Sequence, residues 1–414
     1  MAGLLLTGAA LLDLGSGEVR RGSSVRVEGD RIVEVATEGE LTAGDDVTRI
    51  DCGGLTLLPG LIDAHVHAVL TTLDLAALAR RPLTRIAIEA KSVLEGMLQR
   101  GFTTVRDAGG LDRGLQEALE AGLVRGPRVF RSGRVLSQTG GHGDTLPVDH
   151  EPRLSACNIE STLFAHIADG VDAVRRAARE ELKAGAHQIK VMAGGGVATP
   201  TDPIDMVQYT FEEIHAAVQE ARSRRTYAFA HAYVPQAITQ AVDAGVRSIE
   251  HGNLLDREAA KVMADHGCFL VPTLVVYDQL AELGRQWGFP ADSLAKLDHV
   301  ADAGAHAIEL ALDAGVRVGF GTDLIGEIHP AQSRELVLRS KVQSSLDVLR
   351  SATLVNAELL GRPGELGVVA PGAYADLLLV DGDPLADIEI LTRHQEALRM
   401  VVRGGEIVVN QLVG

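Results

Sequence analysis

The sequence predicts an α/β protein: a (β/α)8 barrel of the TIM type with a small β-domain built from both chain termini. The chain has 414 residues, which suits one barrel-sized domain and a smaller one. Only 3% of its residues are aromatic, so aliphatic side chains must build the core, as in helices packed on a parallel sheet. Strand and helix patterns alternate through the middle of the chain, whereas both ends have hairpin patterns. We therefore expect the small domain at 1–58 and 360–414 and the barrel at 59–359.

The two ends of the chain share alternating strands and Gly-rich turns. Residues 23–36 alternate around a Gly-Asp turn, which predicts a hairpin. The same character returns in GVVAPGAYADLLLVDGDP and ALRMVVRGGEIVV near the C-terminus. The simplest arrangement joins these segments in one small domain, with the barrel inserted between them.

Eight apolar segments in the middle of the chain are the candidate barrel strands. They lie at 60–67, 103–109, 128–136, 187–193, 227–233, 247–253, 269–274 and 316–323. Helical patterns separate them. One helix is expected within 169–185, with an apolar stripe of Val171, Val174, Ala178 and Leu182. Thr210 and Glu213 have capping-box spacing, and Asp256 is the expected N-cap of another helix.

Composition limits the classes of partner. The net charge is −17 and no basic cluster stands out, which argues against nucleic acid. No uncharged apolar run reaches about 18 residues, and the N-terminus has a strand-and-turn pattern rather than a signal peptide, so no membrane partner is expected. Cys52, Cys157 and Cys268 are too scattered for a disulfide framework and fit a reducing cytoplasm. We expect a cytoplasmic homo-oligomer that acts on a small molecule.

Ionisable residues lie at or near the C-terminal ends of the candidate strands, where barrel active sites are built. Six of them would meet at one mouth of the barrel: His65, His67, Lys190, His231, His251 and Asp323. Taken singly, each has a structural explanation, such as an N-cap for Asp323 or a salt bridge for Lys190. Together they favour a metal centre, since neutral imidazole and carboxylate are ligands of zinc and similar divalent ions. Lysine fits such a centre only when it is deprotonated or chemically modified.

These motifs resemble the metal-dependent amidohydrolase superfamily, and the resemblance implies a (β/α)8 barrel with a small β-sandwich built from both termini. The matching segments are PGLIDAHVH, IKVMAGGG, AHAY, IEHGN and GFGTD. The resemblance implies two divalent metal ions, by default zinc, bridged by an N-carboxylated Lys190. It further implies that His65, His67 and Asp323 hold the first ion and that His231 and His251 hold the second.

Three further segments resemble the prolidase-like dipeptidase and ochratoxin-amidase branch: SQTGGHGD, HAY and GTDLIGEIHPAQSRELVLR. The resemblance implies hydrolysis of the amide bond of a dipeptide or N-acyl amino acid with a free carboxylate, by a hydroxide that bridges the two metals. Lys190 and Asp323 would be catalytic, with Asp323 passing the proton of the water to the leaving amine. His142 and Tyr233 would bind the substrate carboxylate.

Two alternatives remain open at this point. One is hydrolysis of a cyclic amide, lactam or lactone, and the other is a non-catalytic relative kept as a scaffold. The GGG at 194–196 indicates close backbone approach to the substrate or metal, and not a nucleotide site. Arg334 and Arg339 are interpreted as solvated. The pocket walls are expected to come from loops at 137–168 and 275–292, so the side-chain preference cannot be predicted.

Overall fold

The computed structural model describes residues 3–37, 39–41, 47–78, 80–144, 163–197, 202–287 and 291–412. Its mixed content of helices and parallel sheets confirms the α/β class. Cys157 and much of the segment 137–168 lie outside the described residues. No helix in the described ranges combines the length and the apolar character needed to cross a bilayer.

Strands from both ends of the chain share one sheet. They are β1 (Gly3–Asp13), β2 (Glu18–Glu28), β3 (Arg31–Thr37), β4 (Val47–Asp51), β5 (Thr56–Pro59), β16 (Leu377–Val380), β17 (Leu398–Arg403) and β18 (Glu406–Asn410). The order is β18-β17-β16-β5-β1-β2-β3, and β4 pairs with β1. The contact between the N-terminal and C-terminal strands is the antiparallel pair of β5 and β16. Leucines alternate into the apolar core on one side of this sheet, as in β1, where Leu4 and Leu6 are buried.

The middle of the chain forms two parallel sheets. Their strands are β6 (Leu61–Val66), β7 (Phe102–Asp107), β8 (Arg128–Arg131), β9 (Val135–Ser137), β10 (Ala165–Ile167), β11 (Ile189–Met192), β12 (Ala228–Ala232), β13 (Ser248–His251), β14 (Phe269–Val271) and β15 (Arg317–Val318). One sheet has the order β6-β7-β8, and the other has the order β10-β9-β11-β12-β13-β14-β15. Most residues of these strands are buried, as expected when helices cover a parallel sheet, although two of the three residues of β10 are only half-buried.

Backbone hydrogen bonds connect the two parallel sheets at both of their ends. Ala64 N in β6 donates to the Phe320 carbonyl, just beyond β15, at 2.8 Å. His187 N, just before β11, donates to the Arg131 carbonyl in β8 at 2.9 Å. The C-terminal ends of the parallel strands are thereby brought to a common region.

Helices lie between most of the parallel strands and also after the last of them. They are α1 (Leu75–Leu78), α2 (Leu83–Gln99), α3 (Arg113–Glu120), α4 (Val171–Lys183), α5 (Phe211–Ser223), α6 (Pro235–Ala244), α7 (Arg257–Asp265), α8 (Leu274–Trp287), α9 (Ala291–Asp313), α10 (Arg334–Arg339), α11 (Ser345–Arg350), α12 (Asn356–Leu359) and α13 (His394–Ala397). Short 3-10 turns cover Gly326–Ala331 and Ile388–Thr392, and a π-helical turn covers Ser351–Val355. The capping box of Thr210 and Glu213 and the N-cap at Asp256 are confirmed.

Four expectations on local structure are wrong. The segment 128–136 is broken into β8 and β9, and the last candidate strand keeps only Arg317–Val318 as regular strand. Val171 is 36% exposed, because it is the first residue of α4 and lies outside the buried stripe. Arg339 is fully buried rather than solvated, and its guanidinium donates to the Gly319 carbonyl at 2.9 Å.

Candidate active site

Two imidazoles and one carboxylate meet where β6 ends. His65 is in β6, and His67 lies one residue beyond its end. Asp323 Oδ1 is 3.3 Å from His65 Nε2 and 3.1 Å from His67 Nε2. One ligand atom from each of the three residues lies within 4.8 Å of the others, so this cluster could bind a metal ion.

The opposite ring nitrogens of the site histidines have partners in the protein. His67 Nδ1 is 3.0 Å from the Gly109 carbonyl, and His251 Nδ1 is 2.8 Å from Thr273 Oγ1. A carbonyl can only accept, so the proton of the His67 ring lies on Nδ1 when the ring is neutral. This fixes the tautomer that presents Nε2 to a metal, a pattern typical of metal-ligating histidines.

A buried carboxylate supports His65 in the same way. Glu250, in β13, is fully buried, and its Oε2 is 2.7 Å from His65 Nδ1. Arg106 Nη2 donates to both Glu250 oxygens, at 2.8 and 2.9 Å, and Ser248 Oγ donates to Oε1 at 2.5 Å. Burial opposes ionisation of Glu250, but the charge of Arg106 and the bond from His65 outweigh it and hold the pKa of Glu250 well below its usual range.

Lys190, His231 and His251 lie beside this first cluster. The rings of His231 and His251 have centroids 4.6 Å apart, and the His251 ring is 5.0 Å from that of His65. Lys190 is 1% exposed, and within the described ranges its Nζ has no hydrogen-bond partner; it lies 4.9 Å from the centroid of the Phe229 ring. Burial lowers the pKa of Lys190 to about 8, against the opposing effect of nearby carboxylates. Burial also lowers the pKa of His231 and of His251 well below the usual value, which keeps both imidazoles neutral.

The Asp323 carboxylate is ionised and polarises its neighbours. Burial opposes this charge, but the charge of His65 and hydrogen bonds from His65 and His67 hold the pKa of Asp323 well below its usual value. Burial lowers the pKa of His67, whereas the bond to Asp323 raises it, and the net shift is upward. A bound cation would take the place of that proton, because metal ligation and protonation compete for the same nitrogen.

The backbone is strained at two of the site residues. His251 has φ 71° and Asp323 has φ 55°, both in the left-handed region. Each such conformation costs about 1–3 kcal/mol in a residue other than glycine. The Asp323 N–H donates to the His65 carbonyl at 2.8 Å, which holds the turn and aims the side chain at the histidines. Strain of this kind is typical of functional sites.

His142 and Tyr233 lie next to the second group of donors. The His142 ring stacks on that of His231 with centroids 4.4 Å apart, and its Nδ1 is 3.0 Å from Asp202 Oδ2. Tyr233 is buried, and its hydroxyl is 2.8 Å from the hydroxyl of Tyr277.

Gly195 and Gly196 lie close to side chains of the site. A Cβ atom on Gly196 would lie 1.8 Å from His142 Cε1, so only glycine fits against this ring. The Gly195 carbonyl is 3.0 Å from His231 Nε2. The close approach predicted for this segment is therefore made to the side chains of the site.

One cavity joins all these residues. It is lined by every side chain that the sequence analysis assigned to the site: His65, His67, His142, Lys190, His231, Tyr233, His251 and Asp323. Apolar side chains complete its wall: Leu70, Phe164, Met192, Val197, Val276, Leu280 and Ile325. Most of the segment 275–292, expected as a loop, lies in helix α8, and the inner face of this helix supplies Val276, Tyr277 and Leu280 to the cavity.

Sequence reasoning missed four residues around the site. Glu250 and Arg106 lie within segments interpreted as apolar strands, and a buried charge in such a strand indicates a partner. Asp202 and Tyr277 have no comparable sequence pattern, because each is recognised only by the residue that it contacts in space.

Metal-dependent hydrolases typically combine a parallel α/β fold with histidine, lysine and aspartate at the strand ends. The site described above has this arrangement and fits that class. The chain belongs to the Amidohydrolase family, which is metal-dependent and whose match covers residues 56–408. The family predicted from the motifs is therefore confirmed.

Three relatives define the branch. The chain is 31% identical to ochratoxinase of Aspergillus niger over 418 aligned residues, which cover 96% of this chain and 85% of the relative. It is 47% identical to a prolidase solved in complex with N-methylphosphonate-L-proline, with a TM-score of 0.95 and coverage of 99% and 100%. It is 29% identical to a Xaa-Pro dipeptidase with bound methionine in its active site, with a TM-score of 0.87 and coverage of 98% and 99%. These matches agree with the prolidase-like and ochratoxinase-like branch.

Proposed function

We propose that this protein is a binuclear metal-dependent amidohydrolase. Its substrate is a dipeptide or an N-acyl amino acid with a free carboxylate, a class that includes ochratoxin-type amides. The observation that carries the proposal is the convergence of the His65, His67 and Asp323 ligand atoms within 4.8 Å, in the cavity that Lys190 also lines. The similarity to a prolidase and to ochratoxinase supports the choice of amide bond.

The donor set fits two divalent ions. His65, His67 and Asp323 would hold the first ion, and His231 and His251 would hold the second, with Lys190 between them. Neutral imidazoles and an ionised carboxylate are the required ligand forms. Bound zinc would polarise an amide carbonyl and lower the pKa of a water molecule to about 7.

Lys190 would serve as an N-carboxylated bridge. Only an unprotonated amine attacks carbon dioxide, which forms an N–C bond and releases a proton. Burial lowers the pKa of Lys190 to about 8, so a useful fraction of the amine is unprotonated near neutral pH. The resulting carbamate is an anionic oxygen ligand, which would remove the cost of an ammonium beside the metal donors.

Asp323 would move the proton. Its carboxylate is ionised in the cavity and can accept the proton of the attacking water. It can then deliver that proton to the amine nitrogen that leaves. His142 and Tyr233 would hold the substrate carboxylate and so fix the position of the amide bond.

We further propose that the two parallel sheets form one (β/α)8 barrel over 59–359. The hydrogen bonds from Ala64 N to the Phe320 carbonyl and from His187 N to the Arg131 carbonyl support closure. The sheet shared by the N-terminal and C-terminal strands supports a small β-sandwich domain at 1–58 and 360–414.

A screen of dipeptides and N-acyl amino acids tests the function. The protein loaded with zinc should hydrolyse members of both classes, and a chelator should abolish the activity until metal is restored. Hydrolysis of lactams or lactones without any hydrolysis of N-acyl amino acids would favour the alternative enzyme class. Absence of all hydrolysis, with less than about one metal per chain, would favour a scaffold.

The apolar wall of the cavity predicts a preference in the acyl group. Among the described lining residues, the ionisable groups are limited to the proposed ligands, His142 and the two tyrosines. A charged acyl chain would therefore lose its solvation against Leu280 and Val276. We expect kcat/KM to be at least about tenfold higher for an N-hexanoyl than for an N-succinyl amino acid.

A charge introduced into the wall provides the test. Leu280→Lys should raise the relative rate on the N-succinyl substrate, whereas Gln286→Lys, at an exposed position of the same helix, should leave the ratio unchanged. Equal rates on both substrates in the unmodified protein would contradict the assigned wall.

A further inference from the structure

We propose that Asp202 is a positioning residue for His142 and thereby sets the selectivity of the cavity for substrates with a free carboxylate. The inference rests on the proposed function, in which His142 contacts that carboxylate. It adds a residue outside the cavity lining to the determinants of specificity.

Asp202 is fully buried directly behind His142. Its Oδ2 accepts the backbone N–H of Gly196 at 2.8 Å and faces His142 Nδ1 at 3.0 Å and Gln208 Nε2 at 3.4 Å. Gln208 Oε1 in turn accepts the backbone N–H of His142 at 2.9 Å. The ring and the backbone of His142 are therefore held by two connected side chains.

The bond to Asp202 fixes the plane of the His142 ring. A carboxylate only accepts hydrogen bonds, so Nδ1 carries a proton and the ring cannot flip without losing a charge-assisted bond. The ring plane is within 18° of the His231 ring plane. Asp202 thus sets how the ring of His142 faces the cavity.

Asp202 is itself held by its surroundings. Lys296, on helix α9, donates to the backbone carbonyls of Asp202 at 2.9 Å and of Gly196 at 3.4 Å. Gly195 N donates to the Met206 carbonyl at 2.9 Å, which pairs the backbone before Asp202 with the backbone after it. A carboxylate held this firmly can impose its geometry on a neighbouring side chain.

A substitution at Gly196 would perturb the same ring by a different route. A Cβ atom there would lie 1.8 Å from His142 Cε1 and would displace the ring, while the Asp202 side chain itself is unmodified. Gly194 offers a matched control, since a Cβ atom on it would meet its nearest heavy atom, the Ala232 Cα, at an ordinary 3.4 Å.

The experiment measures discrimination between a free and a blocked carboxylate. Acetate release is followed from N-acetyl-L-proline and N-acetyl-L-prolinamide, and from the corresponding phenylalanine pair. We expect Asp202→Ala and Gly196→Ala to lower the ratio of kcat/KM between acid and amide by about tenfold or more, mainly through KM for the acid. The turnover number should change by less than about threefold, and Gly194→Ala should keep the unmodified ratio.

Each outcome decides a different claim. A purely structural role of Asp202 would weaken turnover of both forms together and leave the ratio unchanged, which would overturn the inference alone. If Asp202→Ala does not fold, an unchanged ratio in Gly196→Ala overturns it as well. Unmodified protein that hydrolyses neither pair, or both forms equally, would overturn the proposed function and with it the inference.

Discussion

Lys190→Ala is expected to lower kcat/KM by about 10³-fold or more and to reduce the bound metal to about one ion per chain or less. The loss follows because the proposed bridging carbamate disappears. Metal catalysis lowers the activation free energy by several kcal/mol, and each 1.36 kcal/mol corresponds to about tenfold in rate. The side chain is 1% exposed and lines the cavity, so its removal also leaves room for a small anion. Metal analysis and steady-state kinetics on the same preparation measure both effects.

Two further measurements separate a carbamate from an ordinary ammonium at Lys190. Lys190→Arg keeps a long cationic side chain that cannot be carboxylated, and it should be as inactive as the alanine variant. Addition of acetate or propionate should restore part of the activity of Lys190→Ala, because a carboxylate can occupy the place of the carbamate. Full activity of either variant without additives would exclude the proposed bridge.

Glu250→Gln is expected to weaken zinc binding by about 10–100-fold, the usual effect of losing a partner behind a metal-ligating histidine. The carboxylate faces His65 Nδ1 at 2.7 Å, and an amide at this position would present a donor to Arg106 or to His65. Leaving the buried Arg106 without its counter-charge should also lower the free energy of unfolding by about 3–5 kcal/mol. Competition with a chromogenic chelator measures the affinity, and denaturant titration measures the stability.

A second buried glutamate provides the matched control. Glu335 is also fully buried, its Oε1 lies 3.9 Å from the guanidinium of Arg339, and it is not among the residues that line the cavity. Glu335→Gln should therefore leave zinc affinity unchanged. If both variants bound zinc like the unmodified protein, Glu250 would have no positioning role.

The two glutamates should also differ in the sign of their pH dependence. The Glu250 pKa is lowered in the folded state, so its contribution to stability is present at neutral pH and is lost as the pH falls below the ordinary carboxyl range. Burial raises the pKa of Glu335 to about 8, and its Oε1 has no hydrogen-bond partner among the described residues. Its effect therefore has the opposite sign: stability decreases as the pH rises from about 4.5 towards 8, and Glu335→Gln should remove that decrease.

The residues proposed as metal ligands could be selected from the sequence because they follow a local rule. His65, His231 and His251 each occur at or near the end of an apolar strand, and a parallel sheet brings such ends together. Asp323 follows the same rule, although β15, the regular strand that precedes it, is only two residues long.

The supporting contacts could not be predicted, because they join distant segments. Arg106 and Glu250 are 144 positions apart and lie in different parallel sheets, so no strand register predicts their pairing. Asp202 reaches His142 through a fold of the chain after β11 for which no spacing rule exists. Helix α8 was expected as a loop, although its apolar positions form the wall that lines the cavity.

Anomalous diffraction at the zinc edge, from crystals grown with zinc, tests the central claim most directly. The account predicts two peaks in the cavity, one contacting His65, His67 and Asp323 and the other contacting His231 and His251, with carbamate density on Lys190 between them. A cavity without anomalous density, or zinc bound only elsewhere on the protein, would contradict it.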